Sequence, residues 1–259
     1  MRGLALVAAC LMALVPMAGA QDKSARLTFD VASIRPTKPG TQGGMIKAIP
    51  GGHGYTAQNV PVKLMISLMY KVPMRQIEGG PEWLNTEPFD IEARADGVYS
   101  LDDLQSMYKS LLADRFNLKF HTESREGNVY ALTVDPAGLK MKVNESPQNF
   151  NIPLIPRDRT TFVGTRVPMT YLSWWLGQQV QRDARPVINK SGLTGNYDFV
   201  LSFLPPLPPD VSRDDLPADL RDKPSIFDAV RDQLGLRLDA QKGPVEHFVI
   251  DHVEKPSEN

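Results

Sequence analysis

The sequence predicts an α+β protein of two similar βαββαββ-type modules, each with two helices packed on a small mixed sheet. Three observations support this prediction. Helical spacing followed by strand-like alternation occupies residues 100–135, and the same succession recurs over residues 225–251. In addition, Val60–Pro61–Val62 is matched 107 residues later by Val167–Pro168–Met169.

The repeat divides the chain into two halves. We expect the first module at residues 21–143 and the second at 160–259, with a connector at 144–159. Within the second module, residues 205–224 contain six prolines mixed with Asp and Arg. We interpret this segment as an inserted, exposed loop of extended character.

The elements before residue 100 follow from alternating apolar residues and from the turn formers between them. Pro61 suits the first turn of a helix, where its missing N–H is not needed. In order, the sequence predicts a strand at 29–34, a hairpin of 45–49 with 54–60, a helix at 61–70, and strands at 76–78 and 89–93.

Residues 100–135 then predict a capped helix and a β-hairpin. Ser100 and Asp103 form a capping-box pattern, and the apolar residues that follow repeat on one helical face. An alternating run at 116–120 and a β-prone run at 129–134 flank a polar stretch that ends in turn formers. This arrangement is typical of a hairpin.

The second copy repeats each part. Ser225 and Asp228 give the same capping pattern, and 234–238 and 248–250 are the expected strands of a second hairpin. The strands of the copies align at an offset of 118 residues, whereas the capping serines differ by 125. The second helix is therefore shorter by about two turns, which keeps its apolar face in the same direction.

The second copy also begins like the first. We expect a helix at 168–180, followed by strands at 185–188 and 197–201. The core face of this helix is predicted to comprise Met169, Leu172, Trp175, Leu176 and Val180.

The N-terminus predicts an exported protein. Arg2, an apolar run at 4–15 and Ala18–Gly19–Ala20 form a signal-peptide pattern, so residues 1–20 are removed and the mature chain begins at Gln21. We reject a lipoprotein site at Cys10, because it would leave too short an apolar core. The mature chain then has no cysteine, which excludes disulfide and thiol chemistry in its periplasmic or secreted location.

Charge and motifs exclude several function classes. The formal net charge is −1, and no basic stripe favours nucleic acid or a membrane surface. The four histidines match no metal-binding spacing, and no nucleophile motif is present, so we expect no catalytic residue, metal or cofactor. The carboxylate pair Asp90 and Glu92 is interpreted as the solvated side of a strand.

Two stretches are weak candidates for binding. Gly79 and Gly80 with the nearby Trp83 could cradle a ligand against an aromatic wall, but a tight turn with Trp83 packed at the sheet edge is the favoured interpretation. The other candidate pairs Tyr171 with Trp174. Trp174 matches a polar Ser67 in the first copy, on the outer flank of the helix, where Tyr171 lies three residues away.

The aromatic pair has two interpretations. It is covered from within, by the other module or by the proline-rich loop, since monomers seldom leave large apolar patches open. Alternatively it anchors a partner, because Trp and Tyr are enriched at binding hot spots.

Strings along nearly the whole mature chain resemble the soil-associated protein family of unknown function. They include FDVASIRP, YTAQNVPVKLMISLMY, IEGGPEWLNTEPFDIEARA and RPVINKSGLTGNYDFVLSF. The usual Asp-Lys-Thr-Gly of that family is replaced by Asn189–Lys190–Ser191–Gly192. The second half also resembles, more weakly, the short N-terminal domain of secretins and TonB-dependent receptors.

The resemblance implies an exported protein with no assigned reaction. Some family members carry this region joined to a membrane peptidase of the β-lactam-sensor type, which implies sensing or docking by analogy. We therefore expect an exported binding or interaction protein with a protein partner and no nucleic acid. The alternative is an extracytoplasmic hydrolase whose catalytic residues are dispersed along the chain.

Overall fold

A computed structural model of the protein describes residues 26–147, 152–180, 185–208 and 210–256. The predicted signal peptide at 1–20, the new N-terminus at Gln21 and Cys10 lie outside the described residues. The fold is α+β, as predicted, and the described strands form three four-stranded sheets. None of the described helices is long and apolar enough to cross a bilayer.

The elements fall into two series whose order corresponds except for the short helices α2 and α5. The first series is β1 Val31–Pro36, β2 Met45–Ala48, β3 Gly54–Pro61, α1 Val62–Tyr70, β4 Ile77–Gly79, α2 Trp83–Thr86, β5 Pro88–Arg94, α3 Leu101–Arg115 and β6 Lys119–Val134. The second is β7 Lys142–Val143, β8 Leu154–Pro156, β9 Thr161–Pro168, α4 Met169–Gln179, β10 Val187–Asn189, β11 Asn196–Ser202, α5 Ala218–Arg221, α6 Ile226–Ala229 and β12 Leu236–His252. A π-helical turn, Val230–Leu234, extends α6.

The two outer sheets have the same strand order. One runs β1-β5-β3-β2 and the other β7-β11-β9-β8, with neighbouring strands antiparallel. The helices α3 and α6 begin at Ser100 and Ser225, whose hydroxyls accept from the Asp103 and Asp228 N–H groups at 3.1 and 3.2 Å. Both predicted caps are therefore confirmed, and the predicted core face of α4 is buried.

The outer sheets also share a buttressed bulge. Asn59 in β3 and Arg166 in β9 have φ of 53° and 51°, and their N–H groups donate to Asp90 and Asp198 at 2.9 and 2.8 Å. Burial raises the pKa of Asp90, but hydrogen bonds from Asn59 and Thr37 outweigh it and hold the pKa below its usual value. Asp90 therefore supports backbone geometry, as a carboxylate with N–H donors does at a β-bulge.

The predicted hairpins are wrong. Residues 119–134 and 236–252 are single long strands that pair with each other, antiparallel, from Val134↔Leu236 to Lys119↔His252. The turn formers that suggested two hairpins face one another in this register, as Gly127↔Gly243 and Glu126↔Pro244. Pro244 is tolerated because its missing N–H falls on a strand edge with no further neighbour in the described structure.

The long pair β6–β12, hereafter the ribbon, carries one short strand on each side. The sheet order is β10-β6-β12-β4, so β4 of the first half lies beside β12, and β10 of the second half beside β6. Phe248 and Ile250 of β12 thereby enter the core of the first half. Tyr130 and Leu132 of β6 enter the core of the second. Each half closes its core with a strand from the other, so the division at 144–159 stays a prediction.

The proline-rich segment is partly helical rather than extended. A 3-10 turn spans Arg213–Asp215, and α5 spans Ala218–Arg221. The Arg213 guanidinium donates to the carbonyls of Arg221 and Lys223, which folds the segment back on itself. The hydrogen bonds from Arg213 to two carbonyl groups therefore hold this segment in a folded conformation, which its proline content did not predict.

Candidate functional site at the junction of the two halves

A cavity of about 180 Å³ lies where the two halves meet the ribbon. The first half contributes the loop after α1, the second contributes α4 and β10, and the ribbon contributes β12. Its polar lining comprises Lys71, Gln76, Thr170, Ser173, Trp174 and Glu246. Its apolar lining comprises Pro73, Pro186, Val187, Ile188, Pro244 and Val245, with Gly177 of α4.

The end of α1 positions Lys71 and Gln76. Lys71 is the C-cap in the left-handed region (φ 55°), and its N–H donates to the Ser67 carbonyl. This turn redirects the chain to Pro73, whose carbonyl accepts from the Gln76 N–H at 2.8 Å in a 3-10 turn. Gln76 is only 6% exposed. Its side-chain amide forms no hydrogen bond with any residue that the structure describes, but it is not among the fully buried polar atoms, so water can reach it.

Lys71 is a cation without a carboxylate neighbour. Its Nζ donates to Gln105 Oε1 at 2.7 Å, and no acidic oxygen in the described ranges lies within 4 Å. Burial lowers the pKa of the Lys71 ammonium, Lys109 lowers it further, and Asp102 opposes both. An ammonium has three donors, so two remain for another acceptor.

Of the predicted aromatic pair on α4, Trp174 is among the residues that line the cavity and Tyr171 is not. The rings of Tyr171 and Trp174 are 5.5 Å apart, and both residues are half-buried against the core of the second half. Trp174 lines the cavity, and its Nε1 is buried with no acceptor among the described residues. Burial raises the pKa of Tyr171 to about 12, and Tyr55 of the first half contributes.

The second predicted candidate lies elsewhere and does not line the junction cavity. Gly79 and Gly80 both have φ of 75°, and a Cβ on Gly79 would stand 2.9 Å from the Ile250 carbonyl oxygen. Trp83 packs edge-on against Phe89, with ring centres 6.2 Å apart. These glycines are needed for the turn after β4 and its close approach to β12.

A charged ladder on the exposed face of the ribbon was not anticipated from the sequence. The His247 Nδ1 lies 2.6 Å from Glu78 Oε1, and Arg125 bridges Glu78 to Glu123 at 2.8 and 2.6 Å. His121 continues it to Asp251. Only the pairing of β6, β12 and β4 brings these groups together, and cross-strand pairs are not visible in a linear sequence.

The ladder offers an acid or base but no further catalytic group. The hydrogen bonds of His247 in the described structure go to Glu78 and Arg125, and no hydroxyl stands beside it as a nucleophile. No group of three metal-ligating side chains occurs in the described ranges. The ladder is consistent with a solvated, ion-paired strand face.

A larger cavity, about 410 Å³, lies under the proline-rich segment. It is mostly apolar and is lined by residues such as Val180, Leu207, Ile226 and Phe227. Its cation, Arg213, is already bound to backbone carbonyls. In the smaller junction cavity, by contrast, polar groups are not all bound to other protein groups. This feature is expected of a site that recognises a specific ligand.

Comparison with known proteins gives one match. A family model described as "Protein of unknown function (DUF3738)" matches residues 63–253. Neither the curated proteins nor the solved structures contain a match to the chain.

Proposed function

We propose, from the premise that the chain belongs to the DUF3738 family of proteins of unknown function, that it is an exported binding protein for a small polar molecule. The ligand enters the junction cavity. Export is supported by the signal-peptide pattern of residues 1–20. The binding role is supported by the geometry of the cavity.

One observation carries the proposal: polar side chains from both halves line the cavity, and the amide of one of them, Gln76, has no protein partner among the described residues. The Trp174 indole also lines the cavity, but its Nε1 is fully buried. A ligand that hydrogen-bonds the Gln76 amide would replace water there, and a cavity of about 180 Å³ has room for a small organic molecule.

The position of the cavity also supports the predicted sensing role. A ligand there would touch the loop after α1 in the first half and α4 in the second. Bound ligand would therefore hold the halves in one relative position, and a protein partner that reads this position would respond to ligand concentration.

Nuclear magnetic resonance of the indole N–H groups tests the proposal. Residues 21–259, labelled with ¹⁵N, are titrated with acetamide, propionamide, acetate and propionate. We expect at least one of these probes to shift the Trp174 indole resonance, assigned by its loss in Trp174→Phe. The Trp83 indole, which packs on Phe89 away from the cavity, is the internal control. If none of the probes moves Trp174, the proposal is wrong.

A further inference from the structure

We infer that the group bound in the junction cavity is a carboxylate, held by Lys71 and Gln76 beside the Trp174 ring. This inference rests on the proposed function and names the chemical class of its ligand. It follows from three features of the cavity: the kind of polar groups, their charge and the size of the space.

Two lining residues offer hydrogen-bond donors. The Lys71 ammonium has donors left after its bond to Gln105, and the Gln76 amide supplies further donors. The Ser173 hydroxyl already donates to the Thr170 carbonyl at 3.1 Å within α4. Donors select a ligand that presents acceptors, and a carboxylate presents two oxygens that accept several hydrogen bonds.

The charge around Lys71 favours an anion. Its nearest charged neighbours on α3 are Lys109, which repels it, and Asp102, which attracts it. Lys255, unlike Lys71, has a carboxylate partner: its Nζ lies 2.6 Å from Glu87 Oε2. Glu246 lines the cavity from β12, so repulsion would turn the carboxylate of a ligand toward Lys71.

The size and the apolar walls limit the rest of the ligand. A volume of about 180 Å³ corresponds to about six waters at roughly 30 Å³ each, so a carboxylate leaves space for a short chain. Pro73, Val187 and Val245 would contact that chain. Short-chain organic acids therefore fit, and propionate is a suitable probe with propionamide as its neutral isostere.

The test compares dissociation constants for propionate and propionamide, measured by titration of the Trp174 indole resonance. We expect propionate to bind about tenfold or more tightly, because charge-assisted hydrogen bonds are about twice as strong as neutral ones. Lys71→Met should abolish this preference. Lys255→Met also removes one positive charge but leaves the cavity intact, so it should keep the preference.

Two results would contradict the inference. Equal or tighter binding of propionamide would exclude a carboxylate while leaving the binding proposal intact. An unchanged preference in Lys71→Met, with a thermal midpoint like that of the parent protein, would exclude Lys71 as the anion's partner. If Lys71→Met does not fold, Gln76→Leu serves in its place, since loss of its donors should weaken propionate about tenfold.

Discussion

The environment of Gln76 is not explained by folding stability alone. Its side chain is buried, it lines the junction cavity, and its amide lacks a hydrogen-bond partner in the described structure. Gln233 shows the opposite case, because its amide bonds both the N–H and the carbonyl of Ser202, at 2.8 and 2.7 Å. The two glutamines therefore form a natural pair for comparing a structural amide with a recognition amide.

The substitution Gln76→Leu should not destabilise the unliganded protein, because it removes an amide that has no protein partner and replaces it with an apolar side chain of similar size. Gln233→Leu should destabilise it by about 1–3 kcal/mol, since it leaves the Ser202 backbone groups unpaired. Urea unfolding of both variants provides the measurement. A loss of stability in Gln76→Leu as large as that in Gln233→Leu would show that Gln76 has a structural partner.

Gly79 is a second residue at which the conformation dictates the amino acid. Gly79→Ala should cost more than 1 kcal/mol, because φ is 75° and the new Cβ would meet the Ile250 carbonyl oxygen. Gly192→Ala is the matched control, since φ is 70° but no atom lies within 4 Å of its Cβ position. Chemical denaturation of both variants should show the larger loss of stability for Gly79→Ala. Equal losses of stability would mean that the close approach to the Ile250 carbonyl contributes nothing.

The two key residues of the cavity differ in how far the sequence could reveal them. Trp174 could be singled out, because comparison of the copies placed it where the first copy has Ser67. Gln76 could not, because the groups around it come from α4, β10 and β12, which are distant in sequence. A buried polar residue in a short connecting turn carries no periodic signal.

At the level of elements, local patterns predicted local structure. Helix positions, capping serines and the β2–β3 hairpin followed from periodicity and turn residues. The ribbon did not, because alternation identifies a strand but not its partner. Gly127–Asn128 and Gly243–Pro244 were interpreted as turns, whereas they lie opposite one another in the middle of two continuous strands.

The charged ladder on the ribbon predicts that the stability of the folded protein varies with pH through His121. Hydrogen bonds to Glu123 and Asp251 raise the pKa of His121 in the folded protein. A raised folded pKa gives stability that is full below the unfolded value of about 6.5 and is lost as pH rises through the folded value. The difference in unfolding free energy between the parent and His121→Gln should therefore shrink as pH increases above about 6.5.

Urea unfolding at a series of pH values measures this difference. His53→Gln is the control, because His53 forms no ion pair in the described ranges. A constant difference across pH for His121→Gln would show that its ion pairs do not persist in solution.

At the scale of the whole molecule, the register of the ribbon is symmetric. Residues of β6 correspond to residues of β12 at the offset of 118 seen in the sequence, so Glu126 pairs with its own counterpart, Pro244. The side strands obey the same relation, since Ile77↔Phe248 corresponds to Val187↔Tyr130. The strand pairing of the ribbon and its side strands is thus symmetric about Glu126↔Pro244, and each half contributes a strand to the core of the other.

The exchange predicts that neither half folds alone. Residues 21–143 lack Phe248 and Ile250, which are buried in the first core at 1% and 7% exposure. We expect this fragment to be unfolded by circular dichroism, and its mixture with residues 144–259 to recover native structure. A folded, monomeric 21–143 fragment would contradict the exchange of strands between the halves.

The most direct test of the central claim is a crystal structure of residues 21–259 grown with propionate. We predict propionate in the junction cavity beside the Trp174 ring, with a carboxylate oxygen at hydrogen-bond distance from the Gln76 amide and within ion-pair distance of Lys71 Nζ. A cavity without propionate, in which the Gln76 amide bonds to another protein group, would contradict this prediction.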